Sequence, residues 1–349
     1  MTPVELSRTV LRAVRCAVDA GELAAPVPEW AQVAPPGPGG RGDYATNVAL
    51  QLARPAGRPP QEVAEILRPH LAGAEGVAGV DITGPGFLNI TLDGGGEQAL
   101  VAEVLRRGAR YGFVDEPTGD LVQLHHPREV RAAVTAQAVA RILRSQGALV
   151  RTSCEDEPDP TWEAVLGVSV DAHGRPGAPA PLKVNVRPVP AVQDPIPLGR
   201  DAARWALLHP ASHDHPRITA EHLVQRETNP LFRVRYAHAR TRALSRNAAD
   251  LGFTSAPGDV QGDMTHLVDA LAAYPRTLAT AARHRAPDRL ARHLVTTADA
   301  ILGIQHTVLP LGDEKPSAAH RARLALAEAA GTVLAGGLSL LGIDAPEHL

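Results

Sequence analysis

Cysteine is nearly absent: 349 residues contain two, Cys16 and Cys154, far apart and in no CxxC pair. A disulfide framework and a cysteine-rich zinc site are thereby excluded, and a reducing cytoplasm is the expected compartment. Aromatic residues make up only 3% of the chain, so stacking platforms for bare nucleobases are few. Of 35 basic side chains only Lys183 and Lys315 are lysine. Chemistry that needs a positioned ammonium has almost nowhere to find one. No uninterrupted apolar run approaches the ~20 residues of a membrane helix, and the opening MTPVELSRTVLRAV is amphipathic and charged rather than signal-like. No membrane association is expected. Neither a phosphate loop ending in Gly-Lys nor a GxGxxG element precedes a helix, and no GxSxG appears. Gly84-Pro85-Gly86 and Gly94-Gly95-Gly96 read as turn glycines.

What is present is apolar bulk. At 44% hydrophobic content the chain can bury real cores, and its length argues for two or three domains. The formal net charge is −3, and residues 229–349 hold 13 Lys+Arg against 11 Asp+Glu, while residues 1–228 hold 22 against 27. So mild an asymmetry is far from the basic footprint of a DNA-binding protein, and DNA is not an expected partner.

Periodicity divides the chain into three, a multidomain α+β fold. Residues 1–115 read as a small α+β domain: helices over 2–20, 46–53 and 60–71, strands over 77–82 and 87–92 joined by Gly84-Pro85-Gly86, and a closing helix over 97–108. Residues 118–198 alternate strand (LVQLH), helix (128–145), strand (ALVRTS), short helix (TWEAVLG) and strand (LKVNVRP), the pattern of a βαβ unit. So short a segment makes a reduced Rossmann-like middle rather than a full doubly wound sheet. Residues 199–349 read as an all-α bundle, with helices over 200–208, 219–249, 263–273, 275–284, 287–305 and 317–341.

Within the bundle, NPLFRVRYAHARTRALSRNA (Asn229 to Ala248) carries five arginines and no acid. At about 100° per residue, Val234, Ala237, Thr241 and Leu244 line one apolar side and Phe232, Tyr236, Ala239 and Ala243 another. Arg235, His238, Arg242 and Arg246 fall between them, a strip left for solvent. Two readings stay open: a solvated charged face, or a strip that faces phosphate with a polar aromatic beside it. His209, His213 and His215 lie close together in HPASHDHP, but Pro210 and Pro216 make the segment a loop with no supporting ligands, and no metal is expected. Arg41-Gly42-Asp43 matches a three-letter adhesion motif that is too short to carry weight.

Three stretches, in order, resemble one family, the arginyl-tRNA synthetases. Gly42-Asp43-Tyr44-Ala45-Thr46-Asn47-Val48-Ala49-Leu50 with Gly84-Pro85-Gly86-Phe87-Leu88-Asn89-Ile90 resembles their additional amino-terminal domain. Gly199-Arg200-Asp201-Ala202-Ala203-Arg204 with Asn229-Pro230 through Arg240 resembles their DALR-type anticodon-binding domain, and GGLSLLGIDAPEHL its last helix. The resemblance implies that Arg235, Tyr236, His238, Arg242 and Arg246 belong to the surface that receives the anticodon stem-loop. It also implies that Phe87 and Asn89 face the tRNA elbow and its D-loop.

The middle departs from the family. His126-Pro127-Arg128-Glu129 falls on its His-x-Gly-His signature, so that arginine stands for the glycine that lets adenine lie on bare backbone, and glutamate for the second histidine. An anion there repels phosphate. AVQDPIPLGR replaces the lysine-bearing Met-Ser-Lys loop, and the nearest lysine, Lys183, falls in an expected strand. Late in the bundle, ILGIQHTVLP offers His306 as its only ring, and the chain ends Pro346-Glu347-His348-Leu349. The expectation is a tRNA-binding paralogue that has lost aminoacylation, with no ATP or other cofactor. Its partner would be an arginine-accepting tRNA. Two alternatives stay open: an enzyme that uses arginyl-tRNA as donor, with His125, His126 and Glu129 as acid/base groups, or a module that binds the genuine synthetase or a second copy of itself. For His126 and Glu129 the competing reading is a plain helix start.

Overall fold

A computed structural model describes residues 3–34, 36, 42–92, 96–174, 184–260 and 264–349. The chain divides into two compact units, Met1–Ala102 and Glu103–Leu349. In the first, α1 (Pro3–Asp19), α2 (Val48–Ala56) and α3 (Pro60–Ala72) pack on one face of an antiparallel sheet. Its strands β1 (Val33–Ala34), β2 (Tyr44–Thr46), β3 (Val77–Thr83) and β4 (Phe87–Leu92) lie in the order β1-β2-β4-β3. Alternation along β4 buries Leu88, Ile90 and Leu92 in the core and puts Phe87, Asn89 and Thr91 on the opposite face. The turn before β4 requires glycine: Gly86 sits at φ +129°, and a Cβ there would lie 2.8 Å from the Pro60 carbonyl oxygen. Strands β1 and β2 were not expected, because two or three residues are too few to show alternation. Thr46, expected to open a helix, instead closes β2, and its Oγ1 accepts from the Val48 amide at 3.3 Å.

Helix α4 (Gly96–Arg107) runs across the division. The second unit then builds a parallel sheet, β5 (Leu121–His126), β6 (Leu149–Cys154) and β7 (Ala172–His173) in that order, with α5 (Val130–Ser145) and α6 (Pro160–Leu166) between the strands. The strand expected over 182–188 does not form at 184–188; Lys183 itself lies outside the described residues, as do Arg41, Gly94 and Gly95. The segment meets the edge of β5 through mixed bonds: the Asn185 and Val186 amides donate to His125 O (2.9 and 3.2 Å), while Asn185 Oδ1 accepts from His125 N (3.0 Å) and Asn185 Nδ2 donates to Gln123 O (2.8 Å).

Five long helices complete the unit: α7 (Gly199–Leu208), α8 (Pro230–Asp250), α9 (Thr265–His284), α10 (Pro287–Ile304) and α11 (Ala318–Leu341). The helix expected over 219–249 breaks because Asn229 caps α8, accepting from Leu231 N at 3.1 Å while donating to the His222 and Val224 carbonyls. The helices expected over 263–273 and 275–284 are one, with Pro275 inside α9 next to the buried Tyr274. No uninterrupted apolar run of that length appears in α11 either; by length and composition the helix could cross a membrane, but most of it is buried inside the bundle. Among the described residues it is the one helix of that kind.

Two buried arginines tie the parallel sheet to the helices. Arg131 of α5, 1% exposed, donates to the carbonyls of Val189, Leu207, Pro210, Ala211 and Asp214. Arg204 of α7, 0% exposed, donates to Leu341 O, Leu166 O and Gln137 Oε1. The observed fold is thus multidomain α+β, with an antiparallel amino-terminal sheet, a small parallel sheet and a helical carboxyl-terminal region.

Candidate functional sites

The carboxyl ends of parallel strands, where a helix begins, are where such sheets bind ligands. Here β5 ends on His126 and α5 begins with Glu129 as its N-cap. Glu129 Oε1 accepts from Arg131 N (3.0 Å) and Ala191 N (3.2 Å), and Oε2 accepts from Ala132 N (2.7 Å). The amides that a helix N-terminus would otherwise offer to an incoming anion are therefore occupied by the chain's own carboxylate. His126 is fully buried, its Nδ1 2.9 Å from Pro127 O and its Nε2 without a partner. Burial holds its pKa below the usual histidine value, only partly opposed by the Pro127 carbonyl, so the ring is neutral at pH 7. His125 is buried too, with Nδ1 2.8 Å from Ser153 Oγ. Arg128 is exposed and its Nε donates to Glu157 O at 2.8 Å, while Pro127 is half-buried. The contacts of Glu129 are those of a helix start. An acid/base role would need a lone pair aimed at a substrate.

On the amino-terminal sheet, Phe87 and Asn89 share a face but differ in access. Phe87 is 40% exposed at the strand's start, so its ring can receive a base. Asn89 is buried and its Nδ2 donates to Thr83 Oγ1 at 2.6 Å. It braces the β3–β4 turn beneath the phenylalanine.

Helix α8 carries the arginine strip. Tyr236, 39% exposed, stacks on Phe232 with ring centroids 5.7 Å apart and planes 19° from parallel. Arg242 and Arg246 are exposed. Arg235 is half-buried, its Nη2 3.5 Å from Asp201 Oδ2. The expectation that the whole strip is left to solvent is corrected, because the chain's own terminus lies along it. His238 is buried with Nδ1 2.9 Å from Pro346 O, Arg242 Nη2 is 3.3 Å from Glu347 Oε1, and Arg246 Nη2 is 3.4 Å from Glu347 O and from His348 Nδ1. Burial lowers the His238 pKa, opposed by the Pro346 carbonyl. Helical periodicity put Phe232 on an apolar side, missing its role as a partner ring. Nothing local pointed to the tail contact, which joins residues about a hundred positions apart. His209, His213 and His215 line one cavity with His222 and Arg292, and among the described residues no group of three or more His, Cys, Asp or Glu is placed to hold a metal ion.

Comparison with known proteins identifies both ends of the chain. Residues 8–92 match the arginyl tRNA synthetase N terminal domain and residues 234–349 match the DALR anticodon binding domain. An arginine–tRNA ligase of Renibacterium salmoninarum is 27% identical in an alignment of 554 positions spanning 100% of both chains. One from Micrococcus luteus is 36% identical over 202 residues, 51% of this chain and 36% of the relative. Among solved structures, the arginyl-tRNA synthetase of Thermus thermophilus superposes with a TM-score of 0.68 at 16% identity, covering 100% of both chains. That of Plasmodium falciparum gives 0.64 at 9% identity, with 99% of each chain covered. At these identities the structural likeness speaks to fold.

Proposed function

We propose that this chain, whose ends match the amino-terminal and DALR anticodon-binding domains of arginyl-tRNA synthetases, is a member of that family that binds an arginine-accepting tRNA without charging it. The observation that carries this reading is Glu129. Its carboxylate accepts from two backbone amides in the first turn of α5 and from the Ala191 amide, and Arg128 stands beside it, so a triphosphate would meet an anion where it needs donors. Length supports the same reading: an alignment of 554 positions against 349 residues leaves at least 205 positions opposite no residue of this chain.

Function would then rest on residues 1–115 and 199–349, joined by the reduced middle at 118–198, in the cytoplasm where such ligases ordinarily work. Phe87 would stack on a base of the tRNA elbow, with Asn89 positioning it. The Phe232–Tyr236 pair would receive an unstacked anticodon-loop base while Arg242 and Arg246 meet backbone phosphates, Arg235 and the buried His238 supporting that face.

Filter binding with an unmodified arginine-accepting tRNA transcript tests this. With about three phosphate contacts, affinity should fall roughly fortyfold between about 50 and about 200 mM salt. Replacing Arg242 and Arg246 together by alanine should weaken binding and lower the log–log salt slope by about 2. No affinity at the lowest salt would end the proposal. Co-purification of a protein partner without nuclease-sensitive RNA would favour an interaction module instead.

Catalytic loss has its own assay. ATP–pyrophosphate exchange with arginine and tRNA present should stay at the no-protein background. Exchange above that level would show that the nucleotide site works despite Glu129.

A further inference from the structure

Within Glu103–Leu349, a cavity of about 750 Å³ opens among the last turns of α5, the first turn of α7 and the carboxyl end of α11. Its wall carries four guanidinium groups, Arg110, Arg141, Arg144 and Arg200, against one carboxylate, Asp344. Like charges gathered this way repel, and little in the protein offsets them. Arg200 makes no hydrogen bond or ion pair among the described residues, and Arg141 Nη1 is buried without a partner. Arg144 donates to Val150 O at 2.8 Å and stands 4.0 Å from Asp171.

Behind them lies Arg204, fully buried, with carbonyl and carboxamide acceptors but no carboxylate, and with Nη2 unpartnered. Asp201, the nearest acid acting on it, already accepts from Asp344 N (3.1 Å) and faces Arg235 (3.5 Å). Burial first, then Arg141 and Arg200, pull the Arg204 guanidinium down to about 9, which still leaves it a cation at neutral pH. The wall is also cut to fit. Gly342 ends α11 at φ +75°, and a Cβ there would collide with Arg141 Nη1 and come within 2.6 Å of the Arg204 guanidinium carbon. Bare backbone lets two guanidinium groups lie side by side.

A buried cation without a counter-ion is costly unless something completes it. We propose that this pocket binds a phosphate group, held by Arg141 and Arg200 with Arg110 and Arg144 at the rim and Arg204 as the charge behind. Guanidinium suits that task, since its planar fork meets phosphate oxygens two at a time. The volume exceeds one phosphate and admits two linked ones. A free diphosphate and the phosphodiester backbone of bound RNA present the same chemistry. No residue of α8 lines the site, and it does not depend on the proposed tRNA-binding function.

Calorimetric titration of the full chain with inorganic pyrophosphate at low ionic strength tests it. Saturable binding at one site per chain is expected, weakened at least tenfold by Arg200→Ala and by Arg141→Gln. Arg12→Ala, which removes an exposed cation from α1, should leave it unchanged. Arg200 is exposed, so its variant should keep the native circular dichroism. A second arm adds pyrophosphate to a tRNA filter-binding assay. Displacement of the transcript assigns the site to RNA phosphate, and unchanged tRNA affinity assigns it to a free phosphate ligand; both uphold the site. No saturable heat, or equal heat from wild type and both variants, overturns it. A chain that binds pyrophosphate but no tRNA would sink the function proposed above and leave this site standing.

Discussion

Replacing Arg131 by methionine is expected to destabilise the unit Glu103–Leu349 by on the order of 5 kcal/mol, a large share of the total for an ordinary domain. Methionine can fill the volume of the arginine stem. It cannot donate to the five carbonyls, at 2.6 to 3.2 Å, that the guanidinium now satisfies. Each buried acceptor left unpaired costs about 1–3 kcal/mol, discounted where water can reach it. Those carbonyls belong to residue 189 and to the end of α7 and its following loop, so the loss falls on the joint between the parallel sheet and the bundle. Arg131→Lys should recover only part, because an ammonium has three donors for five acceptors. Urea denaturation followed by circular dichroism measures both. A methionine variant within about 1 kcal/mol of wild type would show that these bonds do not hold the joint together.

Acidification from pH 7 to about 4 should cost about 3 kcal/mol through His293 alone. This ring in α10 lies 5.8 Å from the buried Tyr274 ring, and its Nε2 has no partner. Burial draws its pKa down to about 4 from an ordinary 6.5, with the Ala270 carbonyl opposing. A base with a depressed folded pKa is protonated more readily in the unfolded chain. Its contribution is therefore whole above about 6.5, is lost as pH falls through the window from 6.5 to 4, and changes no further below that. His126, His209 and His238 are shifted the same way by burial and add to the loss. Asp269, whose pKa burial raises, works against it. The His293 share is isolated by comparing wild type with His293→Leu in urea at pH 7 and at pH 4.5. Over that narrower window the variant should show a pH dependence smaller by about 2 kcal/mol, and identical dependences would refute the assignment.

Much of the fold was legible where a pattern is local. The two-residue period of β3 and β4, the apolar spacing of α1 and α3, and the Ser317 cap of α11 are written within a turn or a strand. So is Glu129 at a helix start, whose capping bonds span two and three residues. The misses lie where local and distant signals conflict. Residues 184–188 look like a strand, yet only the Asn185 and Val186 amides reach His125 O, and the Asn185 carboxamide takes the other bonds to β5, so no ladder forms. Residues 219–249 look like one helix, but Asn229 uses its side chain to start a new one.

By itself, the order of residues determined the helices and strands with clear periodicity, the concentration of arginine on α8, and the glutamate that opens α5. Each depends on neighbours no more than about four positions apart. Only the tertiary structure decided that the last residues lie along that arginine strip and bury His238, and that Arg110, Arg141, Arg144, Arg200 and Arg204 gather around Gly342. Side chains so far apart along the chain meet only once helix packing has fixed their directions, and no periodicity of the chain encodes that meeting.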